Sequence, residues 1–235
     1  MTSSVGATKG ARARAREEVT AAIKDEARRQ LAADGAAKLS LRAVARELGM
    51  ASSALYRYFP SRDDLLTALI IDAYDSLGAA AEAAHADASG QEPLRRWTVI
   101  CEAVRAWALE HPHEYALVYG SPVPGYSAPD STVRAAARVG QLLIGVVRDA
   151  HQGRGLAVQP VRGALRTEGE RIAADVAPDL PPAAITALVA AWAQLFGLVS
   201  FEVFGQYNRL VEDRSPFFAH AVTQLGHGVG LLPQS

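Results

Sequence analysis

The chain has 235 residues, of which 49% are hydrophobic and 21% are charged, and its formal net charge is −1. This composition is typical of a globular protein with a sizeable core and excludes a disordered or collagen-like chain. The single cysteine, Cys101, excludes an intramolecular disulfide and favours a reducing compartment. The first residues lack the apolar core of a signal peptide, so we expect a cytoplasmic protein.

The charge is distributed unevenly along the chain. Residues 1–62 carry twelve Lys and Arg against six Asp and Glu, a balance of +6. Residues 63–235 carry twelve against nineteen, a balance of −7. A basic N-terminal quarter on an acidic remainder is typical of a protein that places one end on a polyanion.

Almost every segment has helical periodicity and no strand-like alternation of useful length occurs, so the sequence predicts an all-α fold of nine to ten helices. A loop is predicted where residues 120–129 hold three prolines and two glycines. Polar residues interrupt the apolar stretch 183–204, which favours a buried helix over a membrane span. Residues 156–181 are expected to form only short pieces. The predicted helices lie at about 13–33, 41–48, 51–59, 62–86, 93–110, 112–119, 130–152, 182–209 and 215–231.

Residues 41–59 have the pattern of a helix-turn-helix. Gly49 stands where the chain must turn sharply, in a conformation that glycine adopts without penalty. Ala45 supplies the small side chain that two steeply crossing helices require. Leu55 and Phe59 would pack inward from the second helix, which leaves its other side free to enter the major groove of DNA.

The run LSLRAVARELGMASSALYRYFPSRDDLLTALI resembles the DNA-binding domain of the TetR family of transcriptional regulators. Members of that family end the third helix in an aromatic pair followed by a polar turn and a basic residue, which Leu55 to Arg62 match. WALEHPHEY and WAQLFGLVSFEV resemble a subfamily of ligand domains with a Trp-x-x-x-His-Gly motif, although Phe196 replaces the histidine. The resemblance implies a flexible basic arm at 1–12, a helix-turn-helix domain at 13–61, and a ligand-binding and dimerisation domain at 62–235.

The polar side of the second helix of the pair supplies the predicted DNA contacts. Serine, tyrosine and arginine contact base edges or phosphates, and an alanine can contact a thymine methyl. A phosphate is expected at the helix N-terminus of Ser40, and the basic arm adds affinity with little specificity. As alternatives, Arg42 and Arg57 are merely solvated, Tyr58 is partly core, and the arm serves solubility. The predicted DNA-binding residues are Arg12, Arg14, Arg16, Ser40, Arg42, Ser52, Ser53, Ala54, Tyr56, Arg57, Tyr58 and Arg62.

A dimer interface is predicted on the last two helices, whose apolar residues recur along one stripe. Together with the same helices of a second copy they would form a four-helix bundle. One recognition helix reads few base pairs, so a homodimer on a palindromic operator follows. The predicted interface residues are Trp192, Leu195, Phe196, Val199, Phe217, Phe218, Val222 and Leu225.

The resemblance also implies an apolar ligand cavity in the larger domain. Aromatic residues gather in the helices before the proline-rich loop 120–129, which is expected to be a lid or an entrance. The alternative for each of these residues is an ordinary core position. The predicted pocket residues are Trp97, Cys101, Glu102, Val104, Trp107, Tyr115, Tyr119, Tyr126, Phe201 and Glu202.

No catalytic or metal-binding pattern stands out. His111 and His113, two residues apart around a proline, lack the spacing of a helical metal pair, so we expect no metal, no cofactor and no enzyme. The leading hypothesis is a sequence-specific repressor that a small apolar ligand releases from DNA. The alternative is a helical ligand-binding or protein-interaction module that does not read DNA.

Overall fold

The computed structural model describes residues 3–232, with side chains from residue 10 onward; Met1 and Thr2 of the predicted arm lie outside this range. Within that range the chain forms eleven α-helices and two short 3-10 helices, at Ala36–Lys38 and Asp130–Thr132, and no strand, which confirms the all-α prediction. The α-helices are α1 (Ser3–Asp34), α2 (Leu41–Glu47), α3 (Ser52–Leu55), α4 (Arg62–Asp87), α5 (Pro93–Glu110), α6 (Pro112–Tyr119), α7 (Val133–Ala136), α8 (Arg138–Gln152), α9 (Gly163–Val176), α10 (Pro182–Val203) and α11 (Arg214–Gly228).

Several predicted elements differ from the structure. α1 begins at Ser3 rather than near Ala13, although serine, glycine and threonine, which are poor helix formers, are frequent among the residues before that point. The predicted helix at 130–152 is divided into a 3-10 turn, α7 and α8. The segment 156–181 contains one helix of 14 residues, α9. Its Gly169 allows close packing rather than breaking the helix, since a Cβ there would lie 2.8 Å from the carbonyl oxygen of Pro182.

The chain divides into two compact units. The first comprises the residues up to Ala73 together with His113–Thr132, and the second comprises Tyr74–Pro112 and the residues from Val133 onward. α4 begins in the first unit and ends in the second. The division within α4 falls later than the predicted domain boundary between residues 61 and 62.

The core of the first unit is built from one side of each of its helices. On α1, Ile23, Ala27 and Leu31 follow at four-residue steps and are buried, as one face of an α-helix requires. Burial of each leucine or isoleucine side chain stabilises the fold by about 1.5–3 kcal/mol. The core comprises Ile23, Ala27, Leu31, Leu39, Leu41, Val44, Ala45, Leu55, Phe59, Leu65, Leu66 and Leu69.

α10 runs through the core of the second unit. Its length and hydropathy alone would suit a membrane span, but Ile185, Leu195 and Val199 are buried against the other helices of the unit. Cys101 on α5 is also fully buried, and this burial raises the pKa of its thiol. We therefore regard α10 as the core helix that the sequence predicts.

Candidate nucleic-acid interface

α2 begins at Ser40, the predicted N-cap. The backbone of Ser40 is extended, and its hydroxyl oxygen accepts a hydrogen bond from the N–H of Ala43 at 3.4 Å. This bond satisfies one of the donors that the first turn of a helix leaves unpaired. Because the cap uses only a lone pair, the hydroxyl hydrogen can still be donated to another group.

Gly49 ends α2 in a left-handed turn, with φ of 63°. Its N–H donates to the carbonyl of Arg46 at 3.1 Å, and the N–H of Met50 donates to the carbonyl of Ala45 at 2.8 Å. These two bonds form a Schellman motif, which ends a helix with one left-handed residue. Ala45 is buried at the crossing, as the sequence predicts, so the turn fixes the direction in which α3 leaves.

α3 spans only Ser52–Leu55, although the sequence predicts a helix over 51–59. The following residues form tighter turns, in which the N–H of Tyr58 donates to a carbonyl three residues back at 2.8 Å. Pro60 explains the shortening, since a proline disfavours helical backbone at the residue before it, here Phe59.

The structure separates a packing side of α3 from a polar side. Leu55 is fully buried in the core of the first unit. Ser52, Ser53 and Arg57 are exposed, and Tyr56 is 40% exposed. Ala54 is half-buried between the two sides. The residues predicted to read DNA are thus presented together on the surface around this helix.

Arg16 lies on α1 and contacts the segment after α3. Its guanidinium carbon is 5.1 Å from the centre of the Tyr58 ring, and its Nη2 donates to the carbonyl of Arg57 at 3.4 Å. A guanidinium over an aromatic face at this distance makes a cation–π contact. The two ends of the hydrogen bond are 41 residues apart in the sequence, so no local motif indicates this contact. Tyr58 is half-buried, which supports the alternative that it is partly core.

Arg62, predicted to hold a phosphate, is engaged inside the first unit. Its Nη2 donates to the carbonyls of Ala36 and Ala37 at 2.9 and 3.2 Å. Its Nε donates to the carbonyl of Leu39 at 3.2 Å. These carbonyls belong to the connection between α1 and α2, so Arg62 positions Ser40 and the start of α2. The sequence had predicted that the same N–H donors would bind a DNA phosphate.

The basic residues of the first unit fall into two groups. Lys24 and Arg28 both bind Asp72, each at 2.8 Å, and Arg29 pairs with Glu26. Paired cations of this kind hold α1 in place and contribute little net charge to a ligand. A second group makes no ion pair within residues 10–232, and its charges are available to a polyanion. We call this group the unpaired arginines: Arg12, Arg14, Arg16, Arg42 and Arg57.

The predicted ligand residues do not all belong to the second unit. Tyr115, Tyr119 and Tyr126 belong to the first. The Tyr126 hydroxyl is 2.9 Å from Oγ1 of Thr67 on α4, and Val123 packs against the core of the first unit. The loop 120–129 is therefore part of the first unit, and its predicted role as a lid or an entrance stays a prediction.

The predicted ligand residues of the second unit are mainly core. Trp97 Nε1 donates to the carbonyl of Val222 at 3.0 Å, and Trp107 Nε1 donates to Ser76 Oγ at 2.9 Å. Cys101 and Val104 are fully buried beside them on α5, while Glu102 is half-buried and Phe201 is exposed. The alternative of ordinary core positions therefore describes Trp97, Cys101, Val104 and Trp107.

Glu202, also predicted in the pocket, has a structural partner. Its carboxylate accepts hydrogen bonds from Nε and Nη2 of Arg105, both at 2.6 Å. Arg105 also donates to Ser215 Oγ at 3.2 Å and lies 5.3 Å from the ring centre of Phe218. The carboxylate of Glu202 raises the pKa of Arg105. A two-point pair of this kind is geometrically specific, and here it ties α5, α10 and α11 together.

Most of the predicted dimer residues point into their own chain. Leu195, Phe196 and Val199 on α10 are buried, as are Phe218 and Val222 on α11. The prediction was wrong for these five because the bulkiest apolar stripes of α10 and α11 fill the core of the second unit rather than facing a second copy. The remaining predicted residues reach the surface to different degrees: Trp192, Phe217 and Leu225.

A different side of α10 is exposed. Phe201 is 52% exposed, and Gly197, one turn before it on the same side of the helix, is half-buried. Phe217 of α11 is 41% exposed, and a groove of about 380 Å³ runs between the two helices. We call this surface the α10–α11 face; it comprises Ala193, Gly197, Phe201, Phe217 and Leu225.

A turn with glycine in the left-handed conformation, a capped α2 and an exposed polar α3 together define a helix-turn-helix DNA-binding protein. Residues 23–69 match the model of bacterial regulatory proteins of the tetR family, and residues 97–225 match a tetracyclin repressor-like C-terminal domain. The chain belongs to the TetR family. It is accordingly a DNA-binding transcriptional regulator and not an enzyme.

Individual relatives agree with this assignment. HTH-type transcriptional regulator Rv1816 of Mycobacterium tuberculosis is 42% identical over 207 residues, which cover 85% of this chain and 86% of the relative. HTH-type transcriptional regulator Mb1846 of Mycobacterium bovis gives the same values. The crystal structure of the candidate regulatory protein SCO4313 is 34% identical, with a TM-score of 0.74 and coverage of 90% of this chain and 97% of that one.

Proposed function

We propose that the protein is a repressor that binds a palindromic operator as a homodimer and leaves it when a small apolar ligand binds. The observation that carries the DNA-binding part is the division of the cations in the first unit. Lys24, Arg28, Arg29 and Arg62 are tied to carboxylates or carbonyls within the unit. The unpaired arginines make no ion pair among the side chains of residues 10–232; Arg57 lies two residues after α3, Arg16 contacts it, and a phosphate backbone would neutralise their charges.

The proposed reading residues are Ser52, Ser53, Ala54 and Tyr56, with the unpaired arginines and Ser40 on the phosphates. Small side chains at the start of α3 would let its backbone approach the base edges closely. Arg62 leaves the proposed contact set because its donors are occupied by carbonyls.

The operator can be found by selection from random double-stranded DNA, followed by affinity measurements at several salt concentrations. Tyr56→Ala should lower affinity and relax the preference at one position of the operator, by about 1–3 kcal/mol for a base contact. Arg42→Ala should weaken all sequences alike and reduce the salt slope by about one if it holds a phosphate. Arg134→Ala, which removes an exposed charge from the second unit, is the matched control and should bind as the natural protein does. Selection of no sequence in any ligand state would contradict the proposal.

The proposed dimer forms through the α10–α11 face. Apolar side chains such as Phe201 and Phe217 are exposed there, and Ala193 and Gly197 between them would allow a second copy to approach closely. A two-fold arrangement would present two copies of α3 to successive turns of the major groove. Phe201→Glu should turn the dimer into a monomer in sedimentation equilibrium without loss of helix content. Leu165→Glu places the same charge at a similarly exposed position on α9 and should leave the dimer intact.

Release by ligand is proposed because α4 belongs to both units. It starts at Arg62, directly after the reading segment, and ends in the second unit. A ligand that favours one position of its second half would therefore alter the spacing of the reading helices. A protein of this kind is expected to act in the cytoplasm. A screen of small apolar compounds for loss of operator binding tests the release, and an operator complex that every such compound leaves unchanged would contradict it.

A further inference from the structure

A narrow apolar slot lies between α8, α9 and α10 in the second unit. Its volume is about 200 Å³. Leu143, Ile185 and Leu188 line it and are buried, whereas Val176 and Val189 line it and are about half exposed. The slot therefore has a closed apolar interior and an accessible mouth.

On one side of the slot, the indole ring of Trp192 packs directly against the backbone of Gly140. Gly140 of α8 faces Trp192 of α10, and a Cβ at Gly140 would lie 3.0 Å from Cζ3 of the indole. Glycine is unfavourable inside a helix, so its presence here requires a reason. The close approach of the Trp192 ring explains the glycine, because the side chain of a larger residue at position 140 would push the ring into the slot.

The lining decides the chemistry of the occupant. Every lining residue is glycine, an aliphatic residue or Trp192, so the slot offers no charged side chain to a ligand. Burying a charge without a partner is strongly unfavourable, whereas dry apolar cavities of about 150 Å³ accommodate benzene. We propose that the slot binds an uncharged, hydrocarbon-like molecule the size of one substituted ring, and that it is the ligand site of this regulator. The regulatory part of this inference rests on the function proposed above.

The same helix that lines the slot is latched to α4. Arg138 is the first residue of α8, two positions before Gly140. Its Nη1 donates to the carbonyl and the carboxylate of Asp75 at 2.8 and 2.9 Å. Its Nε and Nη2 donate to the two carboxylate oxygens of Glu82 at 2.8 and 2.6 Å. Arg138 thus binds α4 at two points seven residues apart, which is about two turns of the helix.

The Arg138 side chain packs against α4 at Gly78, where no side chain stands in its way. Gly78 lies between these two points, and a Cβ there would be 2.6 Å from Nε of Arg138. The fit means that α8 cannot shift along α4 without breaking hydrogen bonds. A ligand that separates α8 from α10 therefore acts on the helix that carries the latch, and the latch passes the shift to α4.

Isoleucine methyl groups provide a direct test of the slot. The chain has seven isoleucines, of which Ile144, Ile172 and Ile185 line the slot; Ile23 and Ile100 lie in the two cores and serve as internal references. We expect ethylbenzene, added to the full-length protein without DNA, to shift the Cδ1 signals of the first three saturably in methyl NMR spectra. Phenylacetate, of similar size but charged, should leave them unchanged.

A matched pair of variants locates the binding. Val176→Phe fills the mouth and should reduce ethylbenzene affinity at least tenfold. Val133→Phe makes the same change at another exposed valine and should have no effect. The proposal would be overturned by equal shifts with phenylacetate or by unchanged ethylbenzene binding to Val176→Phe. It would also be overturned if the slot signals responded to protein dilution but not to ethylbenzene, which would mean that a second copy of the chain fills the slot.

The latch has its own test on the selected operator. Ethylbenzene should weaken operator binding by the natural protein at least tenfold, and by less than twofold in Arg138→Gln, while the Ile144 signal still shifts in both. Gly78→Ala should reproduce this result if Arg138→Gln does not fold. An unchanged ethylbenzene response in a folded latch variant would overturn the coupling. A protein that binds ethylbenzene in the slot but selects no operator would contradict the proposed function and leave the slot established.

Discussion

The helices of the first unit have one apolar side, whereas α10 of the second unit is apolar on both. On α1, buried Ile23, Ala27 and Leu31 alternate with Lys24 and Arg28, which bind carboxylates at the surface. On α10, bulky residues are buried on one side and exposed on the other. When only one side is apolar, the pattern itself decides which side is buried. When both sides are apolar, the shape of the rest of the core decides which side is buried, and the other side stays exposed and can bind a partner.

The largest expected effect distinguishes the two sides of α10. Phe196 is 7% exposed and Phe201 is 52% exposed. Phe196→Ala should lower the free energy of unfolding by about 3–5 kcal/mol because it leaves a cavity in the core. Phe201→Ala should change the unfolding of the monomer by no more than about 0.5 kcal/mol. Urea titrations at low protein concentration measure both, and similar losses would show that the two sides were assigned wrongly.

A smaller effect is expected at the turn of the helix-turn-helix. Gly49 has φ of 63°, and nothing lies within 4 Å of the position of its missing Cβ. Gly49→Val should therefore cost about 1–2 kcal/mol from backbone strain alone. Gly49→Asn is the control, since asparagine adopts left-handed backbone more readily, and it should retain most of the stability. Thermal unfolding that ranks valine equal to asparagine would contradict the left-handed turn.

Two glycines of α8 provide a test in which a substitution is expected to increase stability rather than lower it. Gly145 has nothing within 4 Å of the position of its missing Cβ, whereas Gly140 faces Trp192 at 3.0 Å. Gly145→Ala should stabilise the second unit by about 0.5–1 kcal/mol, because alanine is favoured over glycine inside a helix. Gly140→Ala should give no such gain. Differential scanning calorimetry compares them, and an equal gain would mean that the indole does not constrain Gly140.

The smallest effect concerns pH. Burial, aided by the positive charge of Arg96, lowers the pKa of His85 in the second unit. A histidine with a lowered pKa favours the folded state above its unfolded pKa of about 6.5, and this contribution is lost as the pH falls through the lower, folded pKa. Stability should therefore decline below about pH 6.5, and the decline should be smaller in His85→Gln. His113→Gln, an exposed change in the first unit, should leave the decline unchanged in chemical denaturation at successive pH values.

Local features of the site were predictable from the sequence. Ser40, Ala45 and Gly49 act through bonds and contacts that lie within a few residues of them, so their spacing is informative. The role of Arg62 was not predictable, because its carbonyl partners are 23 to 26 residues away. The contact of Arg16 with Tyr58 was hidden for the same reason.

The second unit was less predictable for a different reason. Its helices were placed largely correctly, but a helical pattern does not give the direction of each side chain when every side is apolar. The family resemblance implied a cavity without stating which residues line it, and Trp97 and Trp107 were assigned to it although their indole N–H groups bond within the core. Residues 156–181 were expected to form only short pieces, although Gly169 within them allows close packing against α10.

The labelling rate of Cys101 by a thiol reagent measures how often the second unit opens. Cys101 is the only thiol in the chain, it is fully buried in the second unit, and the raised pKa of its thiol keeps the reactive thiolate scarce. A thiol reagent reaches it only when the second unit opens, so the labelling rate of the unmodified protein counts openings of that unit. We expect an occupant of the slot to slow the labelling of Cys101, because it would stabilise the closed second unit.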